Sequence, residues 1–215
     1  MPRYKLTYFP IRGRAEYIRI VFAVGGVEFE NVRVNPEEWF TTLKQSGLSP
    51  TGQLPILEVD GKVLAESKAI LSFVARELGL SPAKNFNQAQ ADMLAGLITA
   101  LEDKLTAAAA EKDQDKKEKA LTAANEDVLR RCGYFEKLLS SNSKQGFFFD
   151  DKLTYGDIVV FTFLNSYFMK GKAEGTPEQL KDFPCVTTWY ELVRTKPKVL
   201  DWLKNPPKDI VEYIY

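Results

Sequence analysis

The chain of 215 residues contains no histidine. That absence excludes Ser-His-Asp and Cys-His nucleophilic schemes, which need an imidazole to move a proton. It also argues against a catalytic zinc or non-haem iron site, whose usual ligand sets rest on imidazole. Cysteine is nearly absent too. Cys132 and Cys185 stand far apart, form no metal-ligand or redox motif, and read as small buried apolar side chains in a reducing compartment. Excess charge of either sign is missing, since 29 basic residues balance 29 acidic ones. A neutral chain has no electrostatic pull toward nucleic acid or an anionic membrane, and neither is expected as a partner. No apolar run approaches the ~20 residues that span a bilayer. The opening Met1-Pro2-Arg3-Tyr4-Lys5 is too polar for a signal peptide, so a cytoplasmic location is expected. Acid-base or thiol chemistry in such a chain falls to Tyr, Lys, Arg, carboxylates or backbone groups.

What is present alternates strand and helix through residue 80. Residues 4–8 are rich in strand formers. Residues 14–24 place Ala15, Ile18, Val21 and Phe22 on one helical face, and Gly25-Gly26 stops the helix. Residues 29–34 read as a second strand and 36–44 as a short irregular helix, followed by a polar loop over 45–53. Two apolar runs, 54–59 and 62–65, flank Asp60-Gly61, a strong two-residue hairpin signal. Residues 67–78 then form a helix with Ile70, Phe73, Val74 and Leu78 inward. The order β-α-β-α-β-β-α predicts a small mixed sheet.

Past a linker at 81–86 the pattern is helical only. Met93, Leu94, Leu97, Leu101 and Leu105 mark one long helix. Leu121, Val128, Leu129, Leu138 and Leu139 mark another. The alanine- and charge-rich stretch 107–119 between them reads as a solvated turn. Further helices are expected around 157–169, 187–195 and 200–203. The fold class is therefore α/β plus all-α: residues 1–80, then a helical domain over 87–215.

Few residues look chemical. Tyr8 ends the first strand where it opens into Phe9-Pro10-Ile11-Arg12-Gly13-Arg14, the kind of place where α/β sheets bind ligands. Taken alone, a strand tyrosine is more often structural. Pro55 cannot donate to a ladder and belongs at a strand start. A cis Leu54–Pro55 bond would turn the Leu54 backbone toward an extended peptide ligand. Ser67 is a natural helix cap, and the same helix N-terminus suits a ligand carboxylate, with Glu66 able to meet an ammonium group. Thr154-Tyr155-Gly156-Asp157 before an apolar run reads as a structural capping box.

Taken in order, these elements resemble the cytosolic glutathione transferases. The similarity is closest to the sigma class, which includes haematopoietic-type prostaglandin D synthases, helminth and arthropod transferases and S-crystallins. It rests on Tyr4 to Phe9, Arg12-Gly13-Arg14-Ala15-Glu16, Trp39, the run from Gly52 to Gly61, Glu66 to Ile70, and Leu153 to Asp157. The resemblance implies a thioredoxin-like N-terminal domain, with a mixed four-stranded sheet and helices, that binds glutathione as co-substrate. It implies a helical domain supplying most of a second-substrate pocket, no metal, and a homodimer. It assigns Tyr8 as hydroxyl donor to the glutathione sulfur, with Arg14 favouring the thiolate. Trp39 and Lys44 approach the glycine end. Gly52, Gln53, Leu54 and Pro55 belong to the glutathione site, with Leu54 pairing with the cysteinyl backbone. Glu66 and Ser67 hold the γ-glutamyl group. Phe9, Gly13 and Ala107 fall in the second-substrate pocket.

The implied reaction is conjugation of glutathione to hydrophobic electrophiles, a detoxifying chemistry. A free thiol with a pKa of about 8.5 is only a few per cent thiolate at pH 7. A hydrogen bond to the anion plus a guanidinium supplies about 2–3 kcal/mol, or roughly two pKa units. Two alternatives remain: a glutathione-dependent prostaglandin D synthase and a non-enzymatic crystallin-like protein. Ala107-Ala108-Ala109-Ala110, where dedicated prostaglandin synthases carry a tryptophan, implies a more open pocket. The loop over 45–53 lacks the aromatic plug of some classes, which implies a flat, polar dimer interface. Thr99 or Ala100 stands where relatives carry a cross-subunit acid, which stays unassigned. Tyr213-Ile214-Tyr215 either covers the pocket or packs on the surface.

Overall fold

The computed structural model describes residues 2–142 and 146–207. Tyr213, Ile214 and Tyr215 lie outside them. The chain divides into two compact units, one running to Ser81 and one from Pro82 to Lys204, with residues 205–207 grouping with the first.

The first unit is a four-stranded sheet with helices. Its strands are β1 (Tyr4–Tyr8), β2 (Glu30–Arg33), β3 (Ile56–Val59) and β4 (Lys62–Ala65), in the order β2-β1-β3-β4. β1 pairs parallel with β2 and antiparallel with β3, and β3 pairs antiparallel with β4. The mixed sheet expected from the element order is therefore present. The central strands bury Leu6, Ile56 and Leu57, while the edge strands are largely open to solvent. Asp60 and Gly61 both take positive φ, 48° and 82°, as the two-residue hairpin turn requires.

α1 (Gly13–Gly25) ends on Gly26 at φ 69°, the left-handed stop that a glycine takes without strain. α2 (Pro36–Thr41) opens with Pro36 behind Asn35, whose side chain accepts from the Glu37 N–H at 2.8 Å. α3 (Ser67–Glu77) packs its buried Ile70, Leu71 and Val74 beside α1.

The second unit is helical: α4 (Asn85–Ala110), α5 (Gln114–Ser141), α6 (Tyr155–Met169), α7 (Pro184–Arg194) and α8 (Pro197–Lys204). The turn between α4 and α5 is shorter than expected. It spans only 111–113, and the charged residues after it form the first turns of α5. Local capping explains the difference: the Asp113 carboxylate accepts from the Lys116 N–H at 3.0 Å, and Glu111 accepts from the Lys112 and Asp113 N–H groups. Asp127 on α5 pairs with Lys104 of α4 and with Arg130, tying the two helices at their solvent side.

α6 is buried on every side from Tyr155 through Asn165, the signature of a helix at the centre of its domain. It packs against α4 and α7. The capping box of Thr154 and Asp157 opens it. Asp157 also accepts from the Phe148 N–H at 3.0 Å and from Trp189 Nε1 at 2.9 Å, so the cap joins α6 to the preceding loop and to α7. Cys132 is buried on α5, and burial pushes its thiol up to about 12. Glu136 of α5 accepts the Cys185 and Val186 N–H groups at 3.0 and 2.9 Å, closing the start of α7. Among the described residues, no helix is long and apolar enough to cross a membrane.

Candidate active site

Strand register brings the candidate residues of the first unit to one edge of the sheet. Tyr8, at the carboxyl end of β1, pairs with Arg33 at the end of β2. Thr7 stands opposite Ile56, and Ile56 opposite Ala65. The end of β1, the entry to β3 and the exit of β4 therefore coincide. Tyr8, Pro55 and Glu66 leave the sheet from that common edge.

Tyr8 is 7% exposed. Its hydroxyl faces the first residue of α1: a Cβ placed on Gly13 would lie 2.9 Å from Tyr8 Oη and 3.2 Å from its Cε1. The unpaired N–H groups and dipole of a helix start favour negative charge there. Arg14 follows on the same turn and is half-buried. Phe9 packs 5.4 Å from the Tyr8 ring and edge-on to the buried Trp39 at 6.4 Å. Gly13 itself sits at φ 41°, where a side chain is strained. Gly13→Ala is expected to cost about 1–2 kcal/mol of stability. It should also displace the Tyr8 hydroxyl, and if that hydroxyl serves turnover kcat/KM falls about tenfold, comparable to a small misplacement of reacting groups. Steady-state kinetics beside a thermal melt checks this, and unaltered kinetics would show that the close approach is irrelevant to turnover.

On the other side of the edge, the Leu54–Pro55 peptide is cis. The loop before it is pinned by Ser49, whose Oγ donates to the Gln53 carbonyl at 2.6 Å and accepts from the Gln53 N–H at 3.1 Å. Gly52 holds φ 66°, and the Lys44 stem passes 3.9 Å from where its Cβ would be. Lys44 Nζ lies 5.7 Å from the Phe40 ring. Glu66 adopts φ 71°, unusual for a residue with a side chain, and occupies the cap position of α3 without a side-chain capping bond. Ser67, expected as the cap, is instead the first helical residue and is buried. The helix thus begins one residue earlier than a Ser67 cap would set it, with Glu66 in the left-handed region as the residue before it. An exposed carboxylate thus stands directly before a helix N-terminus.

Ala107 belongs to the second unit. It lines a cleft of about 430 Å³ between α4 and α5, with Lys104, Ala108, Glu111 and three alanines of α5. Small side chains leave that cleft open, in keeping with the alanine run in the sequence.

One buried group was not anticipated. Arg19 on α1 is fully buried, and Glu16 lies beside it with Oε2 3.1 Å from Nη1. The available signal was position: Arg19 falls on the same helical face as Ala15 and Phe22, a stripe that is otherwise apolar.

Residues 4–76 match the glutathione S-transferase N-terminal domain, and residues 100–206 match the glutathione S-transferase C-terminal domain. The chain is 32% identical over 214 residues to glutathione S-transferase 1 of Ascaris suum, covering 97% of this chain and 98% of that one. It is 33% identical over 219 residues to hematopoietic prostaglandin D synthase of Gallus gallus, covering 98% and 100%. The crystal structure of the glutathione S-transferase from Ascaris lumbricoides superposes with a TM-score of 0.80 at 31% identity, covering 100% of both chains. Two family domains spanning most of the sequence, and relatives matched along their whole length, show that the chain is an enzyme of the glutathione S-transferase family.

Proposed function

We propose that this enzyme activates the glutathione thiol at Tyr8 and conjugates it to small hydrophobic electrophiles in the cytoplasm, as a sigma-class transferase. The observation that carries the proposal is the convergence of the Tyr8 hydroxyl, the start of α1, Pro55 and Glu66 at one sheet edge. Residues 1–80 hold glutathione: Glu66 and Ser67 take the γ-glutamyl group, Leu54 the cysteinyl backbone, with Gly52, Gln53 and Pro55 shaping that stretch, and Trp39 and Lys44 the glycine end. Tyr8 donates its hydroxyl to the sulfur, and Arg14 adds positive charge beside it. The thiol proton leaves to solvent. The sulfur pair then forms the C–S bond, and with an aryl halide the halide departs with its bonding pair. Most of the electrophile contacts come from the helical domain, Ala107 among them, and Phe9 and Gly13 are the contributions of the first unit.

The enzyme acts as a homodimer in this reading.

Prostaglandin D synthesis is the second reading, favoured by the full-length similarity to the chicken synthase. The two separate in one assay: purified protein with glutathione and either chlorodinitrobenzene or prostaglandin H. Glutathione-dependent appearance of the aryl conjugate, with little prostaglandin D formed, is the expected result. Rapid isomerisation without aryl conjugation would favour the second reading. Failure of both reactions would favour a structural, crystallin-like role.

A further inference from the structure

Arg19 is the group that the glutathione reading leaves unused. It sits in the interior of α1 with no exposed surface. Its Nη1 donates to the Ile11 carbonyl at 3.0 Å, the Arg12 carbonyl at 3.2 Å and Glu16 Oε2 at 3.1 Å, and its Nε donates to Asn31 Oδ1 at 3.2 Å. Among the described residues, Nη2 is buried without a hydrogen-bond partner. Burying an ion costs several kcal/mol, and leaving one of its N–H groups unmet adds to that cost. Fastening a loop does not by itself require a full guanidinium with one arm unused.

The charge has a second neighbour. Arg19 Cζ lies 5.9 Å from the centroid of the Tyr8 ring, at the outer range of a cation–π contact. The charged groups around it come from three elements. Glu16 and Arg12 belong to α1 and its entry, Arg33 to β2, and Tyr8 to β1. Arg33 also donates to the Ile11 carbonyl, at 3.3 Å. Glu16 faces both Arg12 and Arg19, at 3.8 and 3.1 Å, and Arg33 sets a further guanidinium close enough to act on Arg19. Burial pulls Arg19 below its ordinary pKa while Glu16 holds it up, and a guanidinium keeps its proton under both.

Resting on the assignment of Tyr8 as thiol activator, we propose that Arg19 is a positioning residue for the conjugation reaction. Its buried guanidinium fixes the Ile11 and Arg12 carbonyls, which set Gly13 against the Tyr8 hydroxyl. It also lends positive potential to the face of the Tyr8 ring, so that the phenol holds a thiolate in place of a thiol. Arg19 acts through Tyr8 and touches no substrate.

The test compares Arg19→Met, Arg19→Lys and Glu16→Gln with the parent. It reads the ionisation of enzyme-bound glutathione by thiolate absorbance, the pH profile of kcat/KM with chlorodinitrobenzene, and thermal stability. Arg19→Met should raise the apparent pKa of the bound thiol by about one unit, the lower end of the shift a nearby opposite charge produces. Turnover at pH 7 then falls about tenfold and recovers as the pH rises, with KM for glutathione changed less than twofold. Arg19→Lys keeps the charge and loses the fork, so it should melt earlier yet hold the parent pH profile. Glu16→Gln removes the opposing charge and should move the bound thiol pKa downward. A pH profile for Arg19→Met that overlays the parent, or an Arg19→Lys profile displaced as far as that of Arg19→Met, overturns the proposal and leaves a loop staple. If Arg19→Met does not fold, the sign of the Glu16→Gln shift decides, with no shift or an upward one counting against it. Tyr8→Phe run alongside separates the two readings. Unchanged turnover there removes the Tyr8 assignment itself, whereas a collapse there with an unmoved Arg19→Met profile removes only this inference.

Discussion

Tyr8→Phe should leave the fold and the affinity for glutathione nearly intact and reduce turnover at pH 7 about 10- to 100-fold. The phenol is almost wholly buried, and its ring packs against Phe9. Phenylalanine keeps that packing and removes only the donor. A hydrogen bond to an anion contributes about 1.5–3 kcal/mol, which corresponds to roughly one to two pKa units of the bound thiol. The sign follows from charge. In the proposed mechanism the donor stabilises the thiolate and holds the thiol pKa down, so its loss raises that pKa and empties the reactive form at neutral pH. The deficit should shrink as the pH approaches the free-thiol value of about 8.5, where no help is needed. Turnover equal to the parent across that range would rule Tyr8 out as the activating group.

Asp157→Ala should lower the melting temperature by roughly 10 °C, from a loss of about 4 kcal/mol at 2–4 °C per kcal/mol for a chain of this size. The carboxylate accepts from the Thr154 N–H at 3.0 Å, Thr154 Oγ1 at 2.8 Å, the Phe148 N–H at 3.0 Å and Trp189 Nε1 at 2.9 Å. Alanine leaves these donors facing a void, and a buried donor without a partner costs about 1–3 kcal/mol. The group lies far along the chain from Tyr8, so kinetic constants measured well below the transition should match the parent. A melting point within about 3 °C of the parent, under the scaling above, would mean that water or a shifted backbone replaces the carboxylate.

These two residues also mark what the sequence discloses and where it stops. The Asp60-Gly61 hairpin, the glycine stop of α1 and the Thr154-Asp157 cap are local. Each depends on neighbours within a few positions, and each is present. The second pair of bonds to Asp157 is not local. Phe148 precedes it by 9 positions and Trp189 follows it by 32, and no spacing rule points to them. Tyr8, Pro55 and Glu66 were readable one by one as strand ends. Their shared edge follows only from the antiparallel pairing of β3 with both β1 and β4. Arg19 is the clearest miss. A basic residue on a helix reads as solvent-facing unless its place on the apolar stripe is weighed more heavily than its charge. The charged run after Glu111 failed in the opposite direction: high polarity suggested a turn, while Asp113 had already supplied a cap that lets α5 begin at Gln114.

The chain's own sulfur chemistry has a bearing on its working life. Any enzyme that handles glutathione meets the oxidised disulfide of that peptide as well, and disulfide exchange proceeds through protein thiolates. Burial pushes the Cys132 thiol up to about 12, away from the thiolate form. Cys185 is raised as well, first by its hydrogen bond with Glu136. The same carboxylate that closes α7 therefore also quiets the neighbouring thiol. Both shifts oppose the thiolate, the form through which disulfide exchange proceeds, so the two sulfurs of the chain are poorer partners for that disulfide than an unshifted cysteine.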